Sequence, residues 1–259
     1  MTDFETLTFT KSGPITSIVL NRPDAANGMN DTMLRELAVA ATLCDSAATK
    51  VVTITGEGRF FSAGGDLKAF AAAPSAGAFI KGLANDLHRA LSTFARMDAV
   101  VITSVNGTAA GAGFSLAATG DLVLAAESAK FTMAYTQVGL SPDGSASYYL
   151  PRLIGIRRTQ QLMLTNRTLT AAEALDWGLL TEVVPDAELA SRTEALAQDM
   201  AATSRTSNSA VKRLLLGTYR TGLEEQMELE GRLLAENAEA PDGQEGIAAF
   251  VGKRAPKFS

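Results

Sequence analysis

Short runs rich in β-branched residues alternate with longer amphipathic stretches along most of this chain, and that alternation restricts it to an α/β fold. "LTFT", "ITSIVLN", "VVTITG", "AVVITSVNG" and "DLVLAA" read as strands, with "NDTMLRELAVAATL" and "AFIKGLANDLHRALSTFARM" as helices between them. In the second helix Ile80, Leu83, Leu87, Leu91 and Phe94 fall at i, i+3, i+7, i+11 and i+14, one apolar face that must pack on a sheet or another helix. Thr170 and Glu173 stand at capping-box spacing ahead of a short helix that Gly178 should stop. From about residue 186 the strand signal ends and helical patterns follow, the last opened by a second capping-box pair, Thr221 and Glu224.

Helices added after a complete α/β core must bury their apolar faces somewhere, and a neighbouring subunit is the expected place for Leu214, Leu215, Met227 and Leu234. The expected division is a core over residues 1–200 and a helical oligomerisation region over 201–259. With 259 residues, 46% of them hydrophobic, the chain can bury one sizeable core. A net charge of −5 leaves no broad basic surface, so nucleic acid is not expected as a partner. The one cysteine, Cys44, cannot form an internal disulfide and reads as a small buried hydrophobe, which fits a reducing compartment. The start "MTDFETLTFTKSG" has no basic segment followed by an apolar run, and no window approaches the roughly 18 apolar residues of a membrane span. The expectation is a soluble cytoplasmic protein.

Two loops invite close approach to the main chain. In "FFSAGGDLKAF" the small residues Ala63, Gly64 and Gly65 expose backbone amides, although a tight strand-to-helix turn would use the same residues. In "SVNGTAAGAGFSLAATGDLVLAA" Gly107, Gly111 and Gly113 join a strand to an alanine-rich helix. The dinucleotide pattern fails there, because no third glycine or downstream acid follows at the right distance. What remains is a helix N-terminus with unpaired N–H groups, or close helix packing. Asp143 lies in Ser141-Pro142-Asp143-Gly144, which has strong turn chemistry. His88 is the only histidine. It sits in the apolar-faced helix, away from these loops and without a partner for a triad or metal cluster, so it reads as structural, and no metal site is visible. Asp121, opening "DLVLAA", is expected to anchor a strand end, and the small residues of "AAAPSAGAFIKG" suggest a mobile loop that shapes a pocket.

Taken together, "VLNRPDAANGMN", "FSAGGDLKAF", "VNGTAAGAGFSLAATGDLVLAAESAKF", "GLSPDGSASYYLPRLIG" and "LTNRTLTAAEALDWGLLTEVV" resemble, in order and over nearly the whole chain, the crotonase superfamily, also called the enoyl-CoA hydratase/isomerase family. The resemblance implies a crotonase-like α/β spiral of ββα units with a C-terminal helical trimerisation region, a homotrimer or dimer of trimers, and an acyl-CoA thioester as ligand. It needs no cofactor, coenzyme A being part of the substrate. By the same likeness the N–H groups of Gly65 and Ala112 form an oxyanion hole. Ala25, Ala63, Asp66, Leu67 and Lys68 become candidate CoA contacts, and Phe250 and Lys253 resemble tail residues that reach a neighbour's CoA.

The chain departs from the family at two places. Hydratases of this family use two glutamates, and at the matching positions this chain has Ser115 and Tyr135. A hydroxyl and a phenol are poor replacements for a carboxylate base. Ser115 reads as a filler of the vacated position. Relatives that shift a double bond carry an acid at the place of Asp143, and in a dehalogenating relative that acid is a nucleophile. The resemblance therefore implies an enoyl-CoA isomerase with Asp143 as its one base, in a surround that Phe114, Leu140, Tyr148 and Tyr149 should make largely apolar. A hydratase with atypical acid/base groups, a hydrolase or dehalogenase using Asp143 as nucleophile, and a catalytically silent acyl-CoA binder are the alternatives.

Overall fold

The computed structural model describes residues 3–259. Among these residues, ten strands and ten α-helices build two sheets and their covering layers. The larger sheet runs in the order β1 (Leu7–Ser12), β2 (Ile15–Leu20), β3 (Val51–Gly56), β5 (Val100–Val105), β7 (Leu122–Ala126) and β10 (Glu182–Val184), parallel except for the β1/β2 hairpin. The smaller sheet holds β4 (Phe60–Ser62), β6 (Thr108–Ala110), β8 (Lys130–Thr132) and β9 (Leu169–Thr170). Three times in succession a long strand of the first sheet is followed by a short strand of the second and then by helix. β3 and β4 lead to α2 (Leu67–Ala72) and α3 (Ala76–Arg96), β5 and β6 to α4 (Ala112–Ala117), and β7 and β8 to α5 (Ala146–Thr165). This is the expected spiral of ββα units.

A parallel sheet needs cover on both faces, and β5 is buried at every residue. One face carries the main core. There Leu83, Leu87, Leu91 and Phe94 of α3 pack beside Met33, Leu37 and Cys44 of α1 (Asp31–Cys44), as the spacing of their apolar residues requires. Against the other face α7 (Leu189–Ala201) lays Leu189 and Ala197 on Val51, Val100, Ile102 and Leu124. Burial pushes the Cys44 thiol up to about 12, so it stays protonated.

Asp121 anchors a strand as expected, accepting from the Val101 N–H at 2.8 Å. It also pairs with Lys212 of α8 (Arg205–Gly217) at 2.7 Å, and Lys212 Nζ donates further to the carbonyls of Phe94 (3.0 Å) and Ala99 (2.7 Å), tying the C-terminal helices to the core. The box at Thr170 and Glu173 opens α6 (Ala171–Asp176). The second box does not form: α9 (Leu223–Glu239) is capped at Gly222, and Thr221 Oγ1 bonds instead to Gln226 Oε1 at 2.6 Å. The segment expected to be a mobile loop is mostly helix, since α2 ends at Ala72 and α3 begins at Ala76. Leu215, Met227 and Leu234 stay exposed within the chain, as do Phe250 and Val251 of α10 (Pro241–Val251). Among the described residues, no helix is long and apolar enough to cross a membrane.

Candidate active site

Two loops meet backbone to backbone. β4 runs into Ala63–Asp66 and β6 into Gly111 and the start of α4, and the strands pair in parallel so that both loops leave on one side. The approach is close enough to demand glycine. Gly64 holds φ at +91°, and a Cβ on it would lie 2.7 Å from the Ala110 carbonyl and 3.3 Å from the Ala112 nitrogen. A Cβ on Gly113 would collide with the Ser62 carbonyl.

This packing leaves two donors unused. The isolated bridge between Met29 and Gly65 employs the Gly64 carbonyl (2.7 Å to Met29 N) and the Asp66 N–H (3.1 Å to Met29 O), so the Gly65 N–H turns away from it. Ala112 is the first residue of α4, where an N–H has no carbonyl one turn back. Neither N–H has a hydrogen-bond partner among the described residues, and both residues line one cavity of about 430 Å³. Phe70, Ile80, Leu83 and Leu140 give that cavity apolar walls, and Asp143 is its one lining carboxylate.

Asp143 does what a turn residue does and more. Its carbonyl accepts from Ala146 N at 3.5 Å, so it opens a turn, with Gly144 and Ser145 following at φ +64° and +66°. That carbonyl also accepts from Ser115 Oγ at 2.7 Å and from the Tyr135 hydroxyl at 3.3 Å. The two residues at the positions of the missing glutamates therefore fasten the main chain of residue 143, and Ser115 is more than a filler. Burial pushes the Tyr135 phenol up to about 12, which keeps it a donor.

The place expected for His88 is overturned. Its Nε2 lies 2.6 Å from Asp143 Oδ1, so the single histidine faces the motif loop rather than sitting apart from it. A helix turns its successive residues outward by about 100°. Leu87 therefore enters the core while His88 looks toward the site. The surround of Asp143 is also less apolar than expected. Leu140 shares its cavity, Phe114 is buried against Phe131, and Tyr148 and Tyr149 line a different cavity.

Of the other candidates, Ala63 and Leu67 line the cavity with Gly65, Ala112 and Asp143. Ala25 is exposed and does not line it, its carbonyl accepting from Gly28 N. Asp66 is already engaged, capping α2 through Ala69 N and pairing with Arg22 at 3.2 Å, and so has little left for a ligand. Lys68 is exposed on α2, and Phe250 and Lys253 stand exposed on α10 and just past its end, outside this cavity. Lys81 lines the cavity and had no signal in the sequence beyond its place on the helix.

These features agree with what the chain is similar to. Residues 10–259 match the family model described as enoyl-CoA hydratase/isomerase. A 1,2-epoxyphenylacetyl-CoA isomerase of Escherichia coli is 36% identical over 95% of each chain. A Rhodobacter capsulatus protein described as an enoyl-CoA hydratase is 34% identical over 99% of this chain and 98% of its own. A Thermobifida fusca structure, described as an enoyl-CoA hydratase in complex with CoA, is 36% identical, superposes with a TM-score of 0.83, and the match covers 91% of this chain and 95% of that one. The fold, the paired loops and the length of the match agree, and the chain belongs to the enoyl-CoA hydratase/isomerase family of the crotonase superfamily.

Proposed function

We propose that the protein is an isomerase that moves a carbon–carbon double bond within an enoyl-CoA thioester, using Asp143 as the one base. The observation that carries this reading is a cavity with two unpartnered main-chain donors, Gly65 and Ala112, and a single carboxylate. Loss of a proton beside the thioester makes a dienolate whose charge gathers on the thioester oxygen. Each preorganised donor aimed at that oxygen is worth about 10²–10³ in rate. One carboxylate suffices, because the proton it takes from one carbon returns to another. Hydration by the pair known in relatives needs a second base to activate water, and Tyr135, held protonated at neutral pH, is a poor one. His88 positions the Asp143 carboxylate through Nε2 in the tautomer that donates to it.

The rest of the assignment follows from this site. Ala25, Ala63, Leu67 and Lys68 line the approach for CoA, and Phe250 and Lys253 of one subunit reach toward the CoA of its neighbour in a homotrimer or dimer of trimers. The exposed Leu215, Leu234, Phe250 and Val251 supply apolar surface for that assembly. No cofactor beyond the substrate's own CoA takes part, and the protein works in the cytoplasm.

The test is deuterium exchange in D₂O with 3-enoyl- and 2-enoyl-CoA thioesters, wild type beside Asp143→Asn, read by mass spectrometry and NMR. Deuterium entering at C2 or C4 with a moved double bond, and loss of both in the variant, is the expected outcome. Thioesters that bind without exchange would defeat it.

The His88 contact favours one second reading. Asp143 attacks an electrophilic carbon of the acyl part, forming a carbon–oxygen ester bond as the leaving group departs with its electron pair. His88 then takes a proton from a water that attacks the ester carbonyl and frees the carboxylate. A single turnover in H₂¹⁸O would then leave label in the side chain of Asp143, which the isomerase reading forbids.

A further inference from the structure

A second cavity, of about 320 Å³, lies on the far side of the contact between His88 and Asp143: His88 lines this one and Asp143 the other. Its floor is α3, where His88, Ser92 and Arg96 recur at every fourth residue, with Leu91 and Ala95, also four apart, alongside them, so that the five share one broad stripe of the helix. Leu216 from α8 and the rings of Tyr148 and Tyr149 from α5 complete an apolar body.

Positive charge is concentrated at this cavity. Arg96 and Arg220 both line it, and neither pairs with a carboxylate among the described residues. Arg96 donates only within its own helix, to Ser92. Next to them Arg152 stacks 3.6 Å from the centroid of the Tyr148 ring, with its Nε buried and without a partner. The carboxylate that acts on Tyr149, Asp121, is already paired with Lys212. The Tyr149 hydroxyl has no hydrogen-bond partner among the described residues, and burial raises its pKa, so it remains a neutral donor.

An apolar body ending in unpaired guanidinium groups is complementary to a chain with an apolar stem and an anionic head. We propose that this second cavity is the far part of the acyl site and selects acyl groups that end in a carboxylate. The thioester lies in the first cavity, and the chain passes the His88–Asp143 pair. Arg96 stands eight residues beyond His88, about 12 Å along the helix axis, which suits a chain of medium length. The inference rests on the acyl-CoA reading and adds the chemical class of the acyl group.

Saturated thioesters test it without turnover. Adipoyl-, suberoyl- and sebacoyl-CoA are titrated calorimetrically beside hexanoyl-, octanoyl- and decanoyl-CoA, on wild type and on the Arg96→Gln/Arg220→Gln double variant, with circular dichroism to check folding. At the best chain length the carboxylate-ended thioester should bind wild type about tenfold tighter or better than its methyl-ended partner, as a charge-assisted contact implies. In the double variant that ratio should fall to near one. Equal binding of each pair by wild type, or a preference that survives loss of both arginines, overturns the inference and leaves the acyl-CoA reading standing. Failure of every thioester to bind folded wild type defeats both.

Discussion

His88 Nε2 and Asp143 Oδ1 lie 2.6 Å apart across 55 residues of sequence, one side chain from the middle of α3 and the other from the turn before α5. The contact makes the orientation of the carboxylate depend on the helix. His88→Ala should lower kcat about 10-fold to 100-fold with KM little changed, the equivalent of one hydrogen bond to a charged group. His88→Gln, which keeps a donor, should recover part of the loss. Steady-state kinetics on the three proteins check this, and a purely structural histidine would show no difference between Gln and Ala beyond stability.

Gly64→Ala tests the backbone contact between the two loops. The new Cβ meets the Ala110 carbonyl at 2.7 Å, and φ of +91° is itself unfavourable for alanine. The variant should lose about 1–3 kcal/mol of stability, read by urea denaturation. Because any relief moves Ala112 away from Gly65, it should also bind CoA thioesters more weakly.

Lys212→Met leaves the stem of the side chain in place and removes a cation that satisfies Asp121 and two carbonyls. Breaking such a pair strands the remaining charge. The expected cost is about 3 kcal/mol, the low end of the range for a buried pair, because Asp121 keeps some access to water. The double variant Lys212→Met/Asp121→Asn should be less destabilised than the single one, and thermal unfolding of both measures it.

The C-terminal tail should loosen in acid. Hydrogen bonds from the Arg254 guanidinium and then the Lys257 N–H hold the Glu245 carboxyl down at about 2, against an ordinary 4.5. The docked tail therefore binds fewer protons than the free one. Its stabilisation is complete above about pH 4.5 and is lost as the pH falls toward 2. An NMR titration of the Lys257 amide would show release over that window, and a signal unchanged to pH 2 would contradict it.

The long strands and the helices α1 and α3 were legible because each carries a β-rich run or an apolar stripe of about five residues or more. β4, β6, β8 and β9 have only two or three residues each, too few for any period to show, and β6 is "TAA", which has no strand character of its own. The glycine loops could be read because a main chain approached within van der Waals range admits little else. His88 could not. Its neighbours in sequence describe a helix face, and nothing local says that a turn from beyond residue 140 will come to lie on it. Lys212 was missed for the same reason, and Thr221 misled because a capping box is a local pattern that Gly222 can displace.

Gly65 and Ala112 offer the cavity their main chain, while Ser115, Tyr135 and Asp143 offer it side chains or set one in place. A point mutation can rewrite the second group and can hardly erase the first. Side chains around the cavity can therefore be exchanged one by one while the two main-chain donors persist, so any change of lining starts from an intact pair of N–H groups rather than from nothing.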